Sequence, residues 1–350
     1  MTLIKNKFIF PLLILIFFGL IFSVNYEIWS IYPQFKEETS RFRDQNFYQP
    51  DHTSDFDYSL AFITTSNEQE YEELLTGIKN VALNNNTAVK IYKPQLSGQI
   101  SSGDYLQIAS LSDYDGIILD SRDSDLTPTI NNIAADTPVV TIQSDYPDSN
   151  RLSYVGINNH RAGFQIGRIL SENINKNQKL VVFSRDQLTT DISSSAEQLK
   201  IFGLQEAIAA SGLIENLEIM DTEVSLLDVS QKLTEILTDK SKNEITAIFT
   251  SDEELTELTL QLLPNIRQEN RPDFIGYTSD QNLKAQIDQG PITMLLYKNL
   301  NEIGKKAAKE MLSYLNDGSV NLFSRIEIEL LMSRSFKERG AESSEINELY

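Results

Sequence analysis

Histidine occurs twice in the chain, at His52 and His160, and cysteine does not occur. Two imidazoles exclude a three-histidine metal centre and speak against a histidine-based nucleophile triad. Without thiols there is no disulfide framework, thiolate zinc site, cysteine nucleophile or N-terminal cysteine for lipid attachment. Asp123, Asp125 and Thr127 open with the spacing of a calcium loop. The sixth position of that loop is Pro128 where glycine makes the turn, and the twelfth is Ala134 where a carboxylate closes the site, so these residues read as loop and helix cap. No dinucleotide or phosphate-binding glycine motif is present. Carboxylate pairs can hydrolyse glycosides, but 50 acids generate pairs by chance. No cofactor is implied. What remains is non-covalent chemistry by polar side chains at strand ends.

Those strand ends need elements to carry them. Tyr58–Thr65, Ala88–Tyr92, Asp115–Asp120, Pro138–Gln143 and Tyr154–Ile157 are short apolar or β-branched runs. Between the first two, Tyr71, Leu74, Leu75, Ile78 and Ala82 keep helical spacing. The alternation then restarts, with strands expected at Lys179–Phe183, Leu217–Met220, Ile245–Thr250, Asp273–Tyr277 and Ile292–Tyr297 and helices between them. A helix over Glu302–Leu315 and a β-like run over Phe323–Met332 follow. Continuous apolar strands separated by helices predict doubly wound parallel sheets covered on both faces, here in two α/β units. The net charge of −20, with 30 basic residues against 50 acids, argues against a nucleic-acid partner.

The N-terminus predicts an anchor. Lys5 and Lys7 precede a charge-free, largely apolar run over residues 8–24. Its length sits at the lower limit for a membrane span, and the flanking charge places residues 1–7 inside and 25–350 outside the membrane. A cleaved signal peptide is the rival, but Ile21-Phe22-Ser23 is a poor small-x-small site. Residues 25–56 read as a juxtamembrane stalk and 336–350 as a polar tail.

Asp115 to Leu170 carries more than a fold class. It contains, in order, DGII, a polar SDL helix start, a T-PVVT strand, a DSNR-x3-VG turn and an AG-x3-G helix. This resembles the type 1 periplasmic binding proteins, the group of the ribose- and galactose-binding proteins and the cores of lac-type repressors. Weaker similarity runs through Ile248–Glu253, Ile275-Gly276-Tyr277 and Tyr297–Gly304, so it covers about residues 57–335. The small residues Ala162, Gly163 and Gly167 are expected to let their helix sit close to its sheet.

The resemblance implies two Rossmann-like lobes joined by three crossovers, near Asn158, Lys298 and Leu322. Lobe 1 would hold residues 57–158 and 298–322, and lobe 2 residues 159–297 and 323–335. It also implies a ligand between the lobes and a pocket of Thr65, Ser66, Asn67, Gln143, Ser144, Arg185, Gln198, Ser251, Asp252, Thr278 and Tyr297, with Asn67, Gln143, Arg185 and Ser251 foremost. Sugar-binding relatives often carry charged residues where this chain has Gln143, Gln198 and Thr278, so a less charged pocket is expected, with a sugar still the leading ligand. With no basic helix-turn-helix, a repressor is excluded, and no catalytic constellation supports an enzyme. The expected protein is a membrane-tethered solute sensor whose partner is a sensor histidine kinase. The alternative is the receptor of an ABC sugar importer, with a permease as partner.

The anchor is directly testable. The mature protein should fractionate with membranes, resist carbonate extraction and keep its first residues on N-terminal sequencing. A soluble form beginning near Asn25 would remove the tether.

Overall fold

The central strands form where β-branched and aliphatic residues run together, and they are mostly buried, whereas β-strands at the sheet edges are partly exposed. Gly116–Asp120 and Met294–Tyr297 have every residue buried, as expected of strands with helices on both faces. The computed structural model describes residues 47–48, 56–93, 101–123, 126–173, 178–185, 195–222, 225–238, 244–267 and 271–338. The expected anchor at 8–24, nearly all of the stalk at 25–56, Asp125, and the tail beyond 338 lie outside these residues. Among the described residues no helix is long and apolar enough to cross a membrane.

The first lobe contains β1 (Phe47–Tyr48), β2 (Tyr58–Thr64), α1 (Glu68–Asn84), β3 (Thr87–Tyr92), α2 (Ser102–Ser110), β4 (Gly116–Asp120), α3 (Thr127–Ile133), β5 (Val139–Ile142) and β6 (Ser153–Ile157). The chain then crosses to the second lobe. There it forms α4 (Asn159–Asn173), β7 (Gln178–Ser184), α5 (Ala196–Ala210), β8 (Leu217–Asp221), α6 (Leu226–Thr238), β9 (Glu244–Thr250), α7 (Glu253–Leu262), β10 (Asp273–Thr278), α8 (Gln281–Ala285) and β11 (Met294–Tyr297). It returns for α9 (Leu300–Asp317) and β12 (Phe323–Ile326), then crosses again to β13 (Glu329–Met332) and α10 (Arg334–Glu338). The two sheets run β1-β3-β2-β4-β5-β6-β12 and β13-β11-β10-β9-β7-β8. Pairing is parallel except at the edges, where β1 joins β3 and β13 joins β11 antiparallel.

Three local results differ from the sequence reading. The single run expected over Phe323–Met332 is two strands, because β12 pairs with β6 in lobe 1 while β13 pairs with β11 in lobe 2. The last crossover therefore lies at Glu327-Ile328, not at Leu322. Phe47–Tyr48, assigned to the stalk, adds an edge pair to the first sheet. A helix with no expected counterpart, α2, opens on a capping box between Ser101 and Asp104.

The AG-x3-G segment also acts differently from expectation. A β-carbon on Gly163 would overlap the Lys200 backbone carbonyl, and one on Gly203 would overlap that of His160. The small face of α4 thus admits helix α5, not the sheet. Lobe 1 repeats the device: Gly77 abuts the Asn301 carbonyl and Gly304 that of Leu74, so α1 and α9 touch through their backbones.

Gly163→Ala should therefore destabilise the protein by about 1–3 kcal/mol, the usual range for overpacking. Gly290→Ala, whose added carbon has its nearest neighbour at 3.9 Å, should stay within about 0.5 kcal/mol of wild type. Urea denaturation of the two variants checks the contrast.

Candidate functional site: a charged cleft between the lobes

Helix N-termini and strand ends from both lobes converge on a cleft of about 560 Å³. Its centre is Lys298, the first residue after β11, whose side chain is 10% exposed. The ammonium donates to Gln143 Oε1 at 3.0 Å. It lies 3.8 Å from Glu70 of lobe 1 and 3.6 Å from Glu253 of lobe 2. Burial alone would pull the lysine pKa down, but Tyr277, Glu253 and Glu70 outweigh it and hold Lys298 above its ordinary value. The cation is thus kept by groups from both sides.

Each partner is itself positioned. Glu70 sits in the first turn of α1, where Asn67 Oδ1 caps the Glu70 N–H at 3.0 Å. Arg122 Nη2 donates to both Glu70 carboxylate oxygens at 3.1 and 2.9 Å. Glu253 is the first residue of α7 and accepts from the Ser279 N–H. The two glutamates also share a hydrogen bond across the cleft. Burial, helped by Glu253, raises the Glu70 pKa, whereas Glu253 is held below its ordinary value because Lys298 and Ser279 overcome its burial. Of the two, Glu70 is the one that burial makes easier to protonate.

Gln143 links this centre to the first sheet. It has φ of +63°, a left-handed conformation uncommon for residues other than glycine. Its Nε2 donates to Asp120 Oδ1 at 3.0 Å while its Oε1 accepts from Lys298, so both ends of the amide are assigned by their partners. Asp120 is buried and also accepts from the Thr64 and Ser66 hydroxyls, each at 2.6 Å. The Tyr154 hydroxyl donates to the Gln143 carbonyl at 3.1 Å.

In lobe 2, Arg185 pairs with Asp252 at 2.8 Å and Glu254 at 3.2 Å. Glu197 accepts from the Ser184 hydroxyl and the Arg185 N–H. Lys200 lies over the Tyr277 ring, 3.3 Å from its centroid, and burial lowers its pKa to about 7. Gln69 Nε2 donates to Asp280 Oδ1 at 2.9 Å, so the lobes also touch at the cleft mouth.

Of the residues expected in the pocket, Asn67, Gln143, Ser144, Arg185, Asp252 and Thr278 line the cleft. The others are placed elsewhere. Thr65 Oγ1 accepts from the Arg122 N–H, and Ser66 is committed to Asp120. Ser251 is fully buried, its hydroxyl shared between Glu197 and the Phe183 carbonyl. Gln198 donates its backbone N–H to the cap Ser195 and does not line the cleft. Tyr297 turns away from the cavity and meets Glu73, Gln281 and Lys284.

The expectation of a less charged pocket is overturned. Seven carboxylates (Glu70, Glu197, Asp252, Glu253, Glu254, Glu257, Asp280) and four cations (Arg122, Arg185, Lys200, Lys298) line it. Most of the charge comes from the first turns of helices, where acids are also favoured by the helix dipole. That ordinary role hides them in the sequence. Lys298 was missed by one position: successive residues leaving a strand point to opposite sides.

Comparison with known proteins places the chain. A family model described as a periplasmic binding protein domain matches residues 60–319. The chain belongs to that family. Solved structures agree on the fold. A glucose-galactose binding protein from Geobacillus stearothermophilus is 20% identical, with TM-score 0.64 over 80% of this chain and 98% of its own. A periplasmic ribose ABC transporter protein from Conexibacter woesei is 16% identical, with TM-score 0.68 over 84% and 98%. A XylFII–LytSN complex matches at 20% identity and TM-score 0.60, over 82% of this chain and all of the matched one. A search of curated proteins finds no match.

Removing Lys298 would strand two buried carboxylates. Lys298→Met should cost about 3–5 kcal/mol, the usual loss when one partner of a buried pair is deleted. Adding Glu70→Gln and Glu253→Gln should restore much of it. Urea midpoints at pH 7 for the single and triple variants test this, and a single variant as stable as wild type would show that the pair does not hold the lobes.

Proposed function

We propose that this chain is a membrane-tethered, extracytoplasmic receptor. It binds a small polar solute, a sugar, between its lobes and signals closure to a protein in the same membrane, such as a sensor histidine kinase. The observation that carries this reading is the make-up of the cleft. Its walls come from both lobes, and Lys298 contacts Gln143 and Glu70 on one side and Glu253 on the other. A solute held there touches both lobes, so its binding energy differs between open and closed forms, which is what allows a ligand to drive closure. Sugar is supported by fold neighbours named for glucose-galactose and ribose. A partner protein is supported by the neighbour solved as XylFII with LytSN.

The importer receptor is the second reading, and the neighbour named as an ABC transporter favours it. The tether distinguishes the two. A charge-free run at 8–24 after Lys5 and Lys7, with no cysteine for lipid, suits a receptor confined beside a membrane partner. Confinement raises the effective concentration, so a weak interface suffices.

The test is a lock. Gln69 and Asp280 already touch across the mouth, and the chain has no cysteine to compete. In cells making the Gln69→Cys/Asp280→Cys protein, the transcriptional response that sugar evokes through wild type should become sugar-independent when the disulfide forms and revert on reduction. A locked protein that behaves as the ligand-free one, together with loss of sugar uptake on deletion, would replace the sensor with the importer.

A further inference from the structure

Two buried side chains on the lobe 2 wall of the cleft lack partners that their neighbours have. Lys200 is 2% exposed and Asn159 is 8% exposed, and both line the cavity. The other three cations of the cleft are matched: Arg122 to Glu70, Arg185 to Asp252, and Lys298 to Glu70 and Glu253. Lys200 has no carboxylate within ion-pair distance among the described residues, and rests on the Tyr277 ring face. Asn159 Nδ2 makes one long bond to the Ile157 carbonyl at 3.4 Å, while its Oδ1 meets no donor. A buried polar group without a partner is costly, and both of these face a cavity able to hold one.

The glycine crossing brings the two together. Gly163, one turn beyond Asn159, abuts the Lys200 backbone, and Gly203, three residues beyond Lys200, abuts the His160 carbonyl. The first turns of α4 and α5 therefore meet where the cleft reaches lobe 2. Three kinds of ligand group would meet this spot differently. A carboxylate only accepts: it would serve Lys200, leave Asn159 Oδ1 bare, and add negative charge beside Glu197, Asp252 and Glu253. An ammonium only donates: it would serve Asn159 and be set against Lys200. A hydroxyl does both.

We propose that Lys200 and Asn159 form a specificity pair that reads one hydroxyl of a neutral, polyhydroxylated ligand, with Nζ donating to the hydroxyl oxygen and the hydroxyl donating to Asn159 Oδ1. This rests on the sugar reading of the cleft and adds the residues that discriminate neutral sugars from acidic and amino sugars. The pair also makes binding depend on pH. The groups facing Lys200 are Glu197 on its own helix, Asp252 and Glu253 at the head of α7, Lys298 at the crossover, and Tyr277. Burial sets the lysine to titrate near 7. A ligand oxygen that accepts from the ammonium raises that value in the complex, so protons are taken up on binding. Affinity is then fully present below about pH 7 and falls as pH rises above it.

The experiment uses the full chain in detergent with D-ribose, D-xylose, and two matched sets: D-glucose, D-glucuronate and D-glucosamine, and D-galactose with its uronate and amino sugar. Thermal shift selects binders, and calorimetry from pH 6 to 8.5 measures them. A neutral sugar should bind more tightly than its acidic and amino counterparts, with affinity falling above pH 7. Lys200→Met should weaken it ~10-fold or more, the loss of one charge-assisted hydrogen bond, and abolish the pH dependence. Asn159→Ala should weaken it while keeping the pH dependence, and this variant decides the matter if Lys200→Met fails to fold. Tighter binding of a uronate or amino sugar would overturn the hydroxyl assignment and leave the sugar reading standing. Wild-type affinity in the folded variants would overturn the pair. If no sugar of the panel binds, the sugar reading itself fails, and this inference with it.

Discussion

An ammonium withdrawn from water between two bodies must be met by opposite charge or it will not stay charged. Lys298 is in that position, and much of the cleft follows from satisfying it. Glu70 and Glu253 supply charge from opposite lobes. Gln143 supplies a carbonyl oxygen, and does so only by turning its amide nitrogen to Asp120 and taking a left-handed backbone. Arg122 then becomes necessary to hold Glu70. A single lysine at the end of a strand thus ties together an unusual dihedral, a buried aspartate and two carboxylates from opposite lobes.

The elements that bring these groups together are unremarkable individually. Parallel strands end at the cleft and helices begin there, so backbone N–H groups and first-turn acids point into the same space. Asn67 and Asp252 each cap a helix and line the cavity at once. Structural and cavity-lining duties therefore share residues. The charge that a ligand meets is fixed by pairs already formed, so the uncommitted groups discriminate.

The fold is legible because buried strands and amphipathic helices leave different periods in the sequence, and the DGII to AG-x3-G block is specific enough to point to the family from sequence alone. What was misread came from packing that sequence spacing does not encode. Gly163 and Gly167 announced a close approach, but not that the neighbour is α5. Phe323–Met332 reads as one run because both of its halves are β-like, while the lobe each half joins is a long-range matter of pairing with β6 or β11. In the site, strand-end positions such as Gln143 and Arg185 were legible from the resemblance. Glu70, Glu253 and Lys200 were not, since an acid or lysine near the start of a helix is expected on helix grounds alone.

Lobe 1 is not a continuous stretch of chain. Its helix α9 lies against α1, and its edge strand β12 closes onto β6, yet both follow the whole of lobe 2 in sequence. During synthesis, lobe 2 has all but β13 and α10 by residue 297, whereas the first-made half waits until residue 326 has emerged before α9 and β12 can dock. Contacts of such long sequence separation form slowly, because the intervening loop must be closed before they gain anything. The N-terminal half is consequently made first and completed late. Until then the face of α1 that α9 covers and the edge of β6 that β12 pairs stay open.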